Sequence, residues 1–89
     1  GLVASDFDVI ESNEAFASQA LAISKKLKFD PAQVNPNGGA IALGHPVGAT
    51  GAIIAVKAMY ELDRTGGKRG LITMCICGGQ GIALAIERI

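Results

Sequence analysis

No run of roughly 18 apolar residues occurs in this 89-residue chain, so no membrane-spanning helix is expected. No signal-peptide pattern opens it. An excess of one charge is also lacking, since eight Lys and Arg balance eight Asp and Glu. The nearest thing to a basic cluster is Lys25, Lys26 and Lys28. Three lysines at a helix end serve solvation and the helix dipole, whereas nucleic acid needs a wide basic footprint. No nucleic-acid partner is expected. Cysteine is scarce: Cys75 and Cys77 are the two present, separated by one residue. A bond between them would close a strained ring. A disulfide framework is therefore not expected, and a reducing cytoplasm fits better. Neither the dinucleotide fingerprint nor the phosphate-binding P-loop is present. There is no internal repeat and no low-complexity tract.

What the chain does have is apolar side chain, 49% of it, with a mean hydropathy of +0.38. A body this small has too much surface to hide so much. The expectation is a segment that buries its faces against further chain or a partner. The opening Gly1-Leu2-Val3, without an initiator Met, reads as processing or as a fragment.

Phe7, Val9 and Ile10 predict a short strand ending near Asn13. Phe16, Ala20, Ile23 and Leu27 recur at helical spacing, and predict an amphipathic helix of about three turns. Asp30-Pro31-Ala32-Gln33 has the residues of a capping box, and one helical turn is expected there. Asn35 to Gly39 is a loop by composition, and Ala40 to Leu43 reads as a brief extended piece. A second helix is predicted from near Ala49 through Leu62, apolar around most of its girth and so buried, with Gly66 and Gly67 ending it. Leu71 to Cys75 and Ile82 to Glu87 predict two closing strands. The order β-α-loop-α-β-β points to an α/β fold, a layered mixed sheet with one antiparallel pair at its end.

Four clusters bear chemistry. Asn13-Glu14-Ala15-Phe16 lies where a strand gives way to a helix, the end at which α/β folds bind ligands; Asn13 as a plain helix cap is the alternative. The glycines at 38, 39, 44, 48 and 51 precede a helix and could cradle phosphate on backbone N–H groups. His45, the one histidine, stands between Gly44 and Pro46, which would hold its ring rigidly; a lone loop histidine is otherwise a surface residue. Cys75-Ile76-Cys77-Gly78-Gly79 ends a strand beside a glycine turn, where a thiol and backbone N–H groups converge as acyl chemistry requires. Its rivals are a metal site, for which two cysteines and one histidine fall short of four structural zinc ligands, and two small core residues.

Three of these stretches together resemble the thiolase family, in order and in spacing: Asn13-Glu14-Ala15-Phe16-Ala17; Gly38 through Pro46 with Gly48-Ala49-Thr50-Gly51; and Cys75-Ile76 before its glycine turn. The resemblance covers essentially residues 1–89 and is to the C-terminal end of a thiolase, with Ala83 to Ile89 reading like the close of such a chain. It implies part of the C-terminal thiolase-fold domain, without the N-terminal domain that carries the nucleophilic cysteine and without the loop that grips much of coenzyme A. The implied activity is that of an acetyl-CoA C-acetyltransferase or 3-ketoacyl-CoA thiolase, ping-pong acyl transfer between 3-oxoacyl-CoA and coenzyme A. Acyl-CoA and coenzyme A would be substrates, with no cofactor and no metal, in a homo-oligomer.

By the same resemblance His45 activates the nucleophile and donates to the thioester oxygen. Cys75 protonates the leaving acetyl-CoA carbanion in cleavage and removes an α-proton in synthesis. Asn13 holds an ordered water that forms one oxyanion hole with His45. The Cys77 backbone N–H belongs to the second hole, and Ala15 and Phe16 touch the pantetheine arm. One departure stands out: the family has glycine where this chain has Cys77. Two other readings stay open, a non-catalytic interaction module and a Cys/His metal or redox protein.

Overall fold

Alternation along a strand sends neighbouring side chains to opposite faces of a sheet. In the computed structural model, which describes all 89 residues, this places Val9 on one face of the first strand, β1 (Val9–Ser12), and Ile10 on the other. A long helix covers one face, and the other is covered chiefly by residues outside the helices. Val9 packs with Ile72 against Ile54, Ala58 and Leu62 of the long helix. Ile10 packs with Phe7 and Phe29, flanked by Ile23, Val34 and Leu71. Each fully buried aliphatic or aromatic side chain of this kind contributes about 1.5–3 kcal/mol.

Five further elements follow a short 3-10 turn (Ala4–Asp6) and β1: helices α1 (Ala17–Leu27), α2 (Ala40–Leu43) and α3 (Thr50–Thr65), then strands β2 (Arg69–Ile76) and β3 (Gln80–Glu87) complete the chain. The sheet order is β1-β2-β3. β1 runs parallel to β2, with Ser12 opposite Thr73, and β2 runs antiparallel to β3, with Cys75 opposite Gly81. The expected α/β architecture, with a mixed sheet and one antiparallel pair at its end, is therefore the one found.

Two expectations need correction, and a third, the single turn after Asp30, is met and extended. Ala40 to Leu43 is a helical turn, not an extended piece. Gly39 precedes it in extended conformation, and the Glu14 carboxylate accepts from the Ile41 N–H at 3.1 Å, a partner for an N-terminal donor that no local pattern announces. The Asp30–Gln33 segment makes a single turn, with Asp30 Oδ1 accepting from the Ala32 N–H. The Gln33 carbonyl is taken by Ile10 and the Asn35 N–H donates back to the Ile10 carbonyl, so this stretch adds a parallel bridge to β1. Lastly, α3 is buried on one face only. Ile54, Ala58 and Leu62 are covered, while Ile53, Val56 and Met59 remain exposed, because one sheet face is all that packs on the helix.

Candidate functional site

The carboxyl end of β1 is held from two sides. Asn13 donates its backbone N–H to the Thr73 carbonyl at 2.9 Å. Asn35, in left-handed conformation (φ 46°), uses its side chain as a short strand, accepting from the Ser12 N–H at 2.9 Å and donating to the Ser12 carbonyl at 2.8 Å. The Asn13 side chain then lies buried, 3% exposed, with neither amide atom hydrogen-bonded. Orphaned buried amides are costly unless something uses them.

Asn13 borders two hollows. The first is a cleft of about 280 Å³ that it shares with Thr73, Cys75 and the Gly79–Gly81 end of the hairpin. The second is a narrow cavity of about 20 Å³, room for about one water, shared with Glu11, Gly44, Thr50 and Lys57. Asn13 and Cys75, from opposite ends of the chain, thus converge. His45 lines neither hollow, but its neighbours Gly44 and Thr50 line the second.

The ring of His45 is fixed by α3. Its Nδ1 lies 2.6 Å from Thr50 Oγ1, and that hydroxyl donates to the Pro46 carbonyl at 3.0 Å. A threonine hydroxyl has one proton. If that proton goes to Pro46, the oxygen accepts from Nδ1–H, and Nε2 is the ring nitrogen without a partner in the chain. A positively turned Gly44 (φ 100°) lets the chain swing from α2 into this loop.

Cys75 is exposed, paired across the ladder with Gly81. Cys77 does not have positive φ. Gly78 and Gly79, at φ 79° and 73°, make the reversal. No backbone N–H of Cys77, Gly78 or Gly79 has a hydrogen-bond partner within the chain. Ala15 is half-buried and Phe16 is 74% exposed at the cap of α1; neither borders the Asn13–Cys75 cleft. Nowhere do three or more His, Cys, Asp or Glu side chains stand together as a metal would require.

Several supporting residues escaped the sequence reading. Glu11 is wholly buried beneath Asn13, and Lys57 Nζ approaches its carboxylate at 3.2 Å. Burial pushes the Glu11 carboxyl up, Lys57 opposes this, and the nearby carboxylates of Glu61 and Glu14 add to the rise. An acid in an otherwise apolar strand and a lysine in a mostly apolar helix were the readable signal, since fully buried charges are paired. Glu14, Asn35 and Thr50 carried no such signal, because their roles depend on loops meeting elements distant in sequence.

The family description "Thiolase, C-terminal domain" matches residues 1–88. A beta-ketothiolase (BktB) of Cupriavidus necator is 65% identical over 89 residues, covering 100% of this chain and 23% of the relative. A beta-ketoadipyl-CoA thiolase of Pseudomonas putida is 59% identical over 91 residues, with 100% and 23% covered. An acetyl-CoA acetyltransferase of Thiocystis violacea is 51% identical over 89 residues, again with 100% and 23% covered. The chain spans about a quarter of the length of these curated relatives.

Proposed function

The chain belongs to the thiolase family, as its C-terminal domain, and from that premise we propose that it supplies the acid–base half of an acyl transfer between 3-oxoacyl-CoA and coenzyme A. The observation that carries this is the convergence of Asn13 and Cys75 on one cleft, with Thr50, which fixes the His45 ring, lining the second hollow that Asn13 borders. The nucleophilic thiol belongs, in the family pattern, to chain that these 89 residues do not include. In thiolysis His45 Nε2 takes the proton of that thiol as its sulfur attacks the ketone carbonyl. The carbon–carbon bond breaks, and the Cys75 S–H gives its proton to the departing acetyl-CoA carbanion. The coenzyme A thiol then gives its proton to the Cys75 thiolate and attacks the enzyme thioester, the sulfur–acyl bond breaks, and the freed enzyme sulfur takes back the proton held by His45.

Negative charge develops on two carbonyl oxygens along this path, and catalysis depends on donors placed for it in advance. A water on the buried Asn13 amide, together with His45, serves one oxygen. The N–H of Cys77, unpartnered and at a residue without positive φ, is assigned to the other, although Cys77 does not itself line the Asn13–Cys75 cleft. The relatives' names include beta-ketoadipyl-CoA and acetyl-CoA, so acyl-CoA thioesters are the proposed substrate class. No helix is long and apolar enough to cross a membrane. A reducing compartment suits the two free thiols.

The test is thiolysis of acetoacetyl-CoA by the full-length protein. His45→Ala and Cys75→Ala are each expected to lower turnover by roughly a hundredfold or more, the scale of lost acid–base or oxyanion catalysis, with the fold retained. A variant within about threefold of wild type would remove that residue from the mechanism. The purified 89-residue chain is expected to show no thiolysis, since both its thiols lie at one strand end.

A further inference from the structure

The loop that carries His45 has little apolar anchorage of its own. Every residue from Ile41 to Ala49 is exposed, Ile41 and Leu43 at 65% and 63%. Its position therefore rests on polar tethers: after the Asn37–Glu61 hydrogen bond that precedes Gly38, there are three. Thr50 holds His45 at the far end. Glu14 accepts from the Ile41 N–H in the middle. Lys57 donates to the Gly38 carbonyl at the near end.

Thr50 and Lys57 lie seven positions apart on α3, two helical turns, and so on one face. The same Lys57 ammonium faces the buried carboxylate of Glu11, two residues before Asn13 on β1. One cation thus joins the root of the histidine loop to the strand end that presents Asn13. Its side chain is 19% exposed and that of Glu11 is 0%, so the contact is sheltered from water, where the attraction is least screened.

We propose that Lys57 is a positioning residue for this site: anchored on Glu11, it clamps the Gly38 carbonyl and so sets the distance between His45 and Asn13. The inference rests on the thiolase reading only for its kinetic consequence, since the clamp on the loop is a statement about geometry. Misplacing a catalytic group by about 1 Å costs up to roughly a hundredfold in rate, so a loosened loop lowers turnover without weakening substrate binding to the same degree.

The experiment compares the full-length protein with Lys57→Met, and with Glu11→Gln/Lys57→Met in case the single variant, which strands a buried carboxylate, does not fold. Two readouts are taken, acetoacetyl-CoA thiolysis and amide hydrogen exchange. Expected are a fall in kcat of about tenfold or more with KM within about twofold. The Leu43 and Gly44 amides, which donate to Gly39 and Ala40, exchange at least about tenfold faster. The Ile10 and Asn13 amides, which donate to Gln33 and Thr73, are unchanged. Unchanged loop amides would overturn the proposal. So would uniform acceleration of all amides, failure of both variants to fold, or a change confined to KM. A wild-type protein without thiolysis would sink the thiolase reading instead, and loop exchange alone would then decide the clamp.

Discussion

At the scale of the residue, the site is defined by which atoms are left free. Thr50 Oγ1 stands between the His45 ring and the Pro46 carbonyl, so Nδ1 is engaged and Nε2 has no partner in the chain. Thr50→Val keeps the shape of this buried side chain and removes the acceptor. We expect kcat for acetoacetyl-CoA thiolysis to fall about tenfold, through a freed ring and mixed tautomers, while Thr50→Ser stays within about threefold. Steady-state kinetics of the two variants checks this; equal losses would show that Thr50 acts through packing alone. At the hairpin, the reversal is made by Gly78 and Gly79 and Cys77 is unstrained. Cys77 also stands outside the cleft that Cys75 borders. Cys77→Gly is therefore expected to keep or modestly raise activity, whereas Cys75→Gly abolishes it. A large drop for Cys77→Gly would make that thiol a participant.

At the scale of the element, α3 is the rail on which the site hangs. Thr50, Lys57 and Glu61 each reach from it to a loop. Glu61 accepts from the Asn37 amide at 2.8 Å and pairs with Arg64 at 2.6 Å. Arg64 and Asn37 lower its carboxyl from 4.5 to about 2. Arg64 is 68% exposed, so solvent screens the pair and its gain is modest. The sign follows from the depressed pKa: the stabilisation is complete above pH 4.5 and is lost as pH falls through about 2. Wild type should thus unfold at higher urea than Glu61→Gln near neutrality, and the gap should close across that window. Denaturation series at several pH values would show it, and a gap independent of pH would mean that Asn37 and packing, not charge, hold the loop. Helix α2 belongs to the same scale. Ala40–Leu43 is short enough to take either conformation, and contact with Glu14 decides it. Gly39 admits that carboxylate, since a Cβ there would stand 2.0 Å from Glu14 Oε1.

At the scale of the whole molecule, the chain is short of cover. Only 14 of its 89 residues are buried, and α1 buries none. Ile53, Val56, Met59 and Tyr60 on α3 and Ile82 and Leu84 on β3 stand in the open. Apolar surface on this scale rarely persists on a soluble monomer. Since the chain spans 23% of its relatives, further chain of the same protein is the proposed cover. The isolated 89 residues are expected to self-associate, and sedimentation velocity showing a stable monomer at high concentration would contradict this.

The order of the elements, the two long strands, both main helices and the glycine stop of α3 were legible in the amino-acid sequence, because each rests on local periodicity and capping chemistry. Family membership was legible too, carried by three short stretches in order. The conformation of Ala40–Leu43, the strand-like use of Asn35 and the Glu11–Lys57 pair were not, because each is a contact between segments far apart in the chain. So was the approach of Asn13 to Cys75, which exists only because Ser12 lies opposite Thr73 in a parallel pair. Local free energies select strands and helices. The register between distant strands, and the polar tethers that hang exposed loops from a helix, are set only when the whole chain is packed.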